Sequence, residues 1–154
     1  GLQQPTLLRD WGRPPIAIPL VRSFAGMYQV KDAMNRKIVA IVPNATVEEA
    51  IRTLLEHKIS GAPVIDKEGK LVGIISQFQL LEVLYDPHIR TQRVQQFMTK
   101  DVLTLEDTAL LGTAANLFVL HRIHRIPVLS SGRVVGVISR SDLLKYFLET
   151  GEQI

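Results

Sequence analysis

The sequence contains no cysteine, which excludes disulfides, thiol nucleophiles and thiolate metal sites. No apolar run approaches the roughly 20 residues needed to span a bilayer. The longest early stretch, IAIPLV at 16–21, is too short, follows Arg13 and two prolines, and does not read as a signal peptide. The expected location is therefore the cytoplasm. Aromatic residues make up only 6% of the chain, so little stacking surface is on offer to nucleic acid. Charge of neither sign dominates: 18 Lys and Arg stand against 15 Asp and Glu, and the cations are scattered, so a nucleic-acid partner is poorly supported. There is no Gly-rich phosphate loop, no His/Asp/Glu cluster at metal-ligand spacing, and no nucleophile beside a recognisable base. An enzyme is not expected, nor a resident metal or cofactor.

What remains is a globular composition, 46% hydrophobic and 21% charged, in 154 residues. That length suits one compact domain or two small repeats sharing a core. The chain repeats itself. Shifted by 64 positions, Val30 meets Val94, Met34 meets Met98, Ala50 meets Ala114, His57 meets His121, and Pro63-Val64 meets Pro127-Val128. One residue drops out where DKEGK at 66–70 faces SSGR at 130–133, and the shift becomes 63. Gly69 then meets Gly132, Gly73 meets Gly136, Ser76 meets Ser139, and Leu80-Leu81 meets Leu143-Leu144.

Each copy reads as strand, helix, strand, turn, strand, helix. KIVAIV at 37–42 is a short β-branched run. TVEEAIRTLLEHK at 46–58 has helical apolar spacing behind a Thr46/Glu49 capping box. APVID and KLVGIIS flank a Gly-containing turn, the pattern of a hairpin, and QLLEVLY closes the unit as a helix. The second copy repeats the order, although Leu110 stands where Thr46 caps the first helix. Residues 1–29 form an N-terminal extension with Trp11 and Pro14, Pro15 and Pro19, expected to run extended along the module or a partner subunit. Residues 30–88 and 89–154 are the two units, with DPHIRTQR at 86–93 as connector. A unit of about 60 residues buries too little alone, so the two are expected to pack together.

The motifs VKDAM and VQQFMT, GAPVID and HRIPVLS, and GIISQFQLL and GVISRSDLL, four in order and twice over, resemble a tandem pair of cystathionine-β-synthase (CBS) domains, the Bateman module. The resemblance implies an α/β (α+β) fold of two pseudosymmetric β-α-β-β-α units with facing sheets. It also implies a noncatalytic regulatory role, a homodimer, an unidentified regulated protein, and an adenosine nucleotide (AMP, ADP or ATP) in the cleft between units.

The copies differ at one chemically telling place. Ser139 and Asp142 have capping-box spacing, and so do Ser76 and Gln79, so helix capping alone accounts for both. A carboxylate can accept from both hydroxyls of a ribose, whereas an amide brings an unwanted donor. In the resembling family the motif G-h-x-[ST]-x-x-D puts the carboxylate on ribose and the hydroxyl near phosphate. Gly136, Ser139 and Asp142 complete that motif; Gly73 and Ser76 match it, and Gln79 departs. A main site is therefore expected at Asp142, assisted by Arg140 and by Ser141, a hydroxyl position similar to one in the regulatory subunit of AMP-activated kinase. Ser60, Gly61 and Ala62 of the other unit are expected across the cleft, with adenine against Met34 and Val39. A weakened second site would hold Ser76, Gln79, His124 and Arg125, the His-Arg pair serving that site's phosphate or the neighbouring ligand. Helix capping, a plain turn, a core place or a surface ion pair is the competing role at these positions. A ligand-independent dimerisation scaffold and a sensor of S-adenosylmethionine or NAD remain alternatives.

Overall fold

The computed structural model describes residues 23–151, so the Pro-rich stretch with Trp11 lies outside the described residues. The elements are α1 (Val30–Ala33), α2 (Val47–Glu56), β1 (Gly61–Ile65), β2 (Leu71–Ser76), α3 (Gln77–Leu80), β3 (Leu105–Glu106), α4 (Leu111–Leu120), β4 (Arg125–Ser130), β5 (Arg133–Ser139) and α5 (Arg140–Thr150). The repeat is visible in the pairing. β1 and β2 form an antiparallel hairpin with Gly61 opposite Ser76. β4 and β5 form its counterpart with Arg125 opposite Ser139, joined by β3 running parallel to β4. Gly69 and Gly132, aligned by the repeat, turn the two hairpins with positive φ of 84° and 78°, which suits residues lacking a Cβ. The turn ends touch across the units, where Val134 N–H donates to the Gly69 carbonyl at 3.1 Å.

Two hydrophobic cores result, and each unit begins on the other's core. Val94, Phe97 and Met98 pack with Ile41, Val47, Leu54, Val64 and Ile75 of the first unit. Val30 and Met34 pack with Leu105, Leu111, Ala114, Ile126 and Ile138 of the second. Matching backbone bonds hold both segments. Val30 N–H donates to Ala109 and Lys31 to Asp107, as Val94 does to Ala45 and Gln95 to Pro43. Full burial of a valine or isoleucine contributes about 1.5–3 kcal/mol, so these crossings bind the units together more firmly than hairpin contact alone.

Several local expectations shift. Of KIVAIV, Ile41 alone bridges, in parallel to Val64; the rest of the run forms no strand. QLLEVLY is a single α-turn, α3, continued as a 3-10 turn at Leu81–Leu84, whereas α5 runs on to Thr150. Asp86-Pro87 explains the difference: proline cannot continue a helix, and the Asp86 carboxylate instead accepts from His88 N–H to cap a new 3-10 turn at Pro87–Thr91. That connector is more than a tether. Ile89 fills the first core, and Arg90 pairs with Glu48 on α2 at 2.6 Å. Hydrogen bonds from Arg52 and then Arg90 hold the Glu48 carboxyl below its ordinary value. At the other edge Phe24, Tyr28, Tyr146 and Phe147 form a tilted and edge-on aromatic cluster. Burial there, and then Asp32, raises the Tyr146 phenol.

Candidate functional site

The two G-h-x-S motifs end β2 and β5, where the open ends of the hairpins lie. Their glycines are fixed by packing. A Cβ on Gly136 would stand 2.6 Å from Met34 Sδ and 3.0 Å from the Asn35 carbonyl; one on Gly73 would stand 2.7 Å from Met98 Sδ and 2.8 Å from the Thr99 carbonyl. The exchanged segments lie directly over these positions, bonding Asn35 to Val137 and Thr99 to Ile74 in both directions.

After the glycine, each serine caps the following helix. Ser139 Oγ accepts from Asp142 N–H at 3.2 Å, and Asp142 Oδ2 accepts from Ser139 N–H at 2.8 Å. The box thus uses one carboxylate oxygen, and Oδ1 has no partner among the described residues. The first unit differs. Gln79 Oε1 accepts from Ser76 N–H at 2.9 Å and from its hydroxyl at 3.3 Å. The remaining amide group, Nε2, donates to Thr99 Oγ1 on the segment that opens the second unit. Both ends of the Gln79 amide are engaged within the protein, whereas one oxygen of Asp142 is not.

Beside Ser139 lies a cleft of about 210 Å³ lined by Ser60, His124, Arg125, Ser139, Arg140 and Ser141. β4 and β5 place Arg125 directly opposite Ser139. Ser60 arrives from the other unit, its carbonyl held by Gln77 N–H at 2.8 Å, while the Gln77 side chain bonds the Ile59 carbonyl at 3.0 Å. The structure therefore brings His124 and Arg125 to the same cleft as Ser139, Arg140 and Ser141. The other sequence candidates lie off its wall. Asp142 sits half-buried in the first turn of α5, Gly61 and Val39 are half-buried, and Ala62, Met34 and Gly136 are buried. A larger, open groove of about 540 Å³, lined by Pro43, Val72, Gln95, Met98 and Lys100, carries one cation and none of the motif serines, so its lining offers less chemistry. Sequence reasoning missed Thr99 and Gln77. Thr99 aligns with Asn35 by the repeat, but only the exchange of segments reveals that it reaches Gln79.

Among the described residues no group of His, Asp and Glu is placed to hold a metal ion, and no helix is long and apolar enough to cross a membrane.

The family model for the CBS domain matches residues 30–86 and again 94–149. The chain belongs to the CBS domain family. Its fold is a tandem CBS pair, a Bateman module. It is 28% identical to CBSX2, a CBS-pair protein from Arabidopsis thaliana, in a crystal structure in complex with AMP; the match covers 80% of this chain and 98% of that one, with a TM-score of 0.72. The CBS domain pair of protein MJ0100, in complex with 5′-methylthioadenosine and S-adenosyl-L-methionine, is 27% identical over 80% of this chain and 98% of that one, with a TM-score of 0.67. An uncharacterized protein of Methanocaldococcus jannaschii, MJ1225, is 29% identical over 75% of this chain and 41% of its own length. Two further curated relatives are spanned over only 15% and 25% of their lengths, so this CBS pair corresponds to a minor part of each of them.

Proposed function

We propose that this CBS pair is a noncatalytic, cytoplasmic regulatory module that binds an adenosine nucleotide (AMP, ADP or ATP) at Asp142 and transmits its occupancy to a regulated protein. One observation carries it. Asp142 keeps an oxygen free of partners among the described residues, and follows directly on Ser139, Arg140 and Ser141 of a cleft lined with cations and hydroxyls, whereas the equivalent Gln79 has both ends of its amide engaged. The free oxygen suits a ribose hydroxyl, Ser139 and Ser141 suit phosphate, Ser60, Gly61 and Ala62 face the ligand from the other unit, and Met34 and Val39 belong to the adenine side. The AMP complex of CBSX2 supports the ligand class. The 5′-methylthioadenosine and S-adenosyl-L-methionine complex of MJ0100 favours a second reading, an adenosyl thioether or sulfonium, but a sulfonium would carry positive charge to a cleft already holding Arg125 and Arg140. The module acts as a homodimer.

Calorimetric titration of AMP into the wild type and Asp142→Gln tests the assignment. The substitution is expected to weaken binding on the order of ten- to a hundredfold, the value of a charge-assisted hydrogen bond. Equal affinity in both proteins would remove Asp142 from the site, and absence of binding to AMP, ADP, ATP and S-adenosylmethionine alike would leave a ligand-independent scaffold.

A further inference from the structure

The closing segments of the two units present matching faces that differ in the sign of one charge. Phe78, Leu81, Glu82 and Tyr85 stand at i, i+3, i+4 and i+7, the spacing of one helical face, across α3 and the 3-10 turn that continues it. All four are exposed. The repeat lays Ser141, Leu144, Lys145 and Leu148 of α5 over them, again all exposed. Neither Glu82 nor Lys145 has an ion-pair or hydrogen-bond partner among the described residues. Each is a lone charge in an apolar stripe, solvated only while the stripe stays uncovered. A partner that covers the stripe must supply the opposite charge or leave this one desolvated.

A second copy covers both stripes at once in one of two ways. About a two-fold axis, each unit meets either its own counterpart or the other unit of its mate. Leu81 and Glu82, like Leu144 and Lys145, lie mid-stripe, so a two-fold contact brings the middle of one stripe onto the middle of the next. Like on like, Glu82 meets Glu82 and Lys145 meets Lys145. Crossed, Glu82 meets Lys145 at both contacts. Like charges set together oppose association, and opposite ones fix its register. Side-chain volume agrees with charge. The first stripe flanks its charge with the rings of Phe78 and Tyr85, where the second has the smaller Ser141 and Leu148. Like on like crowds rings against rings at one contact and leaves space at the other; crossing sets large against small at both.

We propose that these stripes dock a second copy crosswise, the first unit of each chain on the second unit of its mate, and that Glu82 and Lys145 form two symmetry-related ion pairs that select this arrangement. The proposal rests on the homodimer given above and adds what orients it. Leu81 and Leu144 offer the same contact in either arrangement, so orientation falls to the charge pair and the rings. The same two charges also reject the like-on-like assembly, in which each is buried against its own kind. In the crossed dimer α5, whose first turn carries Asp142, rests on the α3 segment of the other copy, so movement of α5 on ligand binding reaches the neighbour's first unit.

The chain has no cysteine, so introduced thiols report without background. Glu82→Cys, Lys145→Cys and the double variant are oxidised with copper phenanthroline and resolved on non-reducing gels. The crossed dimer predicts a covalent dimer from the double variant alone; a single variant that cross-links to itself would overturn it. Charge reversal, followed by sedimentation, gives an independent reading at two exposed positions whose replacement leaves the fold intact. Glu82→Lys or Lys145→Glu alone is expected to raise the dimer dissociation constant about tenfold, and the two together to return it to within about threefold of wild type. Single reversals without effect, or a double variant weaker than either, would overturn the crossed arrangement and leave the homodimer standing. A dimeric wild type whose variants never cross-link would move the interface off these stripes. A monomeric wild type would remove the homodimer and its orientation together.

Discussion

Asp142 and Gln79 do the same structural job and are left with different chemistry. Each accepts from the N–H of the serine three residues before it, and each is half-buried or partly covered at the first turn of a helix. That much was legible in the sequence, because a capping box is a local pattern whose spacing dictates its bonds. The difference lies in what is left over: a carboxylate has a second acceptor, an amide has a donor that must find a partner, and Gln79 finds Thr99. Thr99 could not be read from the sequence, since it lies twenty residues away on a segment whose placement depends on the whole fold. The expected consequence is reversible by design. Gln79→Asp removes the donor to Thr99 and leaves a spare acceptor in the first unit. Calorimetry should then show a second, weaker nucleotide per chain, whereas unchanged stoichiometry would mean that the first unit is closed by something other than its amide.

At the level of elements, the decisive feature is the docking of each unit's opening segment on the other unit's sheet. The repeat announced two units, but the exchange was invisible, because Val30 and Val94 are interchangeable in any hydrophobic pattern. The motif glycines record it. Gly73 lies under Met98 and the Thr99 carbonyl, and Gly136 under Met34 and the Asn35 carbonyl. A methyl group at either place forces the segment away. Gly73→Ala should destabilise by about 1–3 kcal/mol, the usual range for overpacking. Gly136→Ala should cost less, because a flexible methionine thioether meets the new methyl first at both places, but the rigid Asn35 carbonyl stands at 3.0 Å where the Thr99 carbonyl stands at 2.8 Å. Chemical denaturation of both variants checks the order; equal stability to wild type would show that the segments dock loosely. The closing helices were half legible. α5 follows its apolar spacing, whereas α3 tightens to a 3-10 turn after Leu80 and the chain turns away at Asp86-Pro87, where Ile89 enters the first core.

Over the whole molecule, the two hairpins touch at their turns through Gly69 and Val134 and present their open ends to the cleft, so the cleft and the turn contact sit at opposite ends of one hairpin pair. Occupancy shifts a partner's activity only if the ligand prefers one arrangement of the units. The closing segments carry the surface suited to a second copy. Phe78, Leu81, Leu84 and Tyr85 are exposed, Phe78 by 82% and Tyr85 by 89%, and Leu144, Phe147 and Leu148 repeat the stripe at the matching positions of α5. Apolar stripes of this extent on both units are a liability unless covered. The double variant Leu81→Asp, Leu144→Asp is expected to convert a dimer to a monomer in light scattering while keeping its nucleotide affinity. A monomeric wild type would remove the dimer altogether, and a variant still dimeric would place the interface elsewhere. The central claim is that the spare oxygen of Asp142 holds a ribose, and it is tested most directly by a crystal structure grown with ATP. The account predicts one nucleotide per chain, with its ribose hydroxyls on the Asp142 carboxylate and its phosphates among Ser139, Arg140 and Arg125. Density with both Asp142 oxygens turned to the protein backbone, or a nucleotide seated at Gln79 instead, would contradict it.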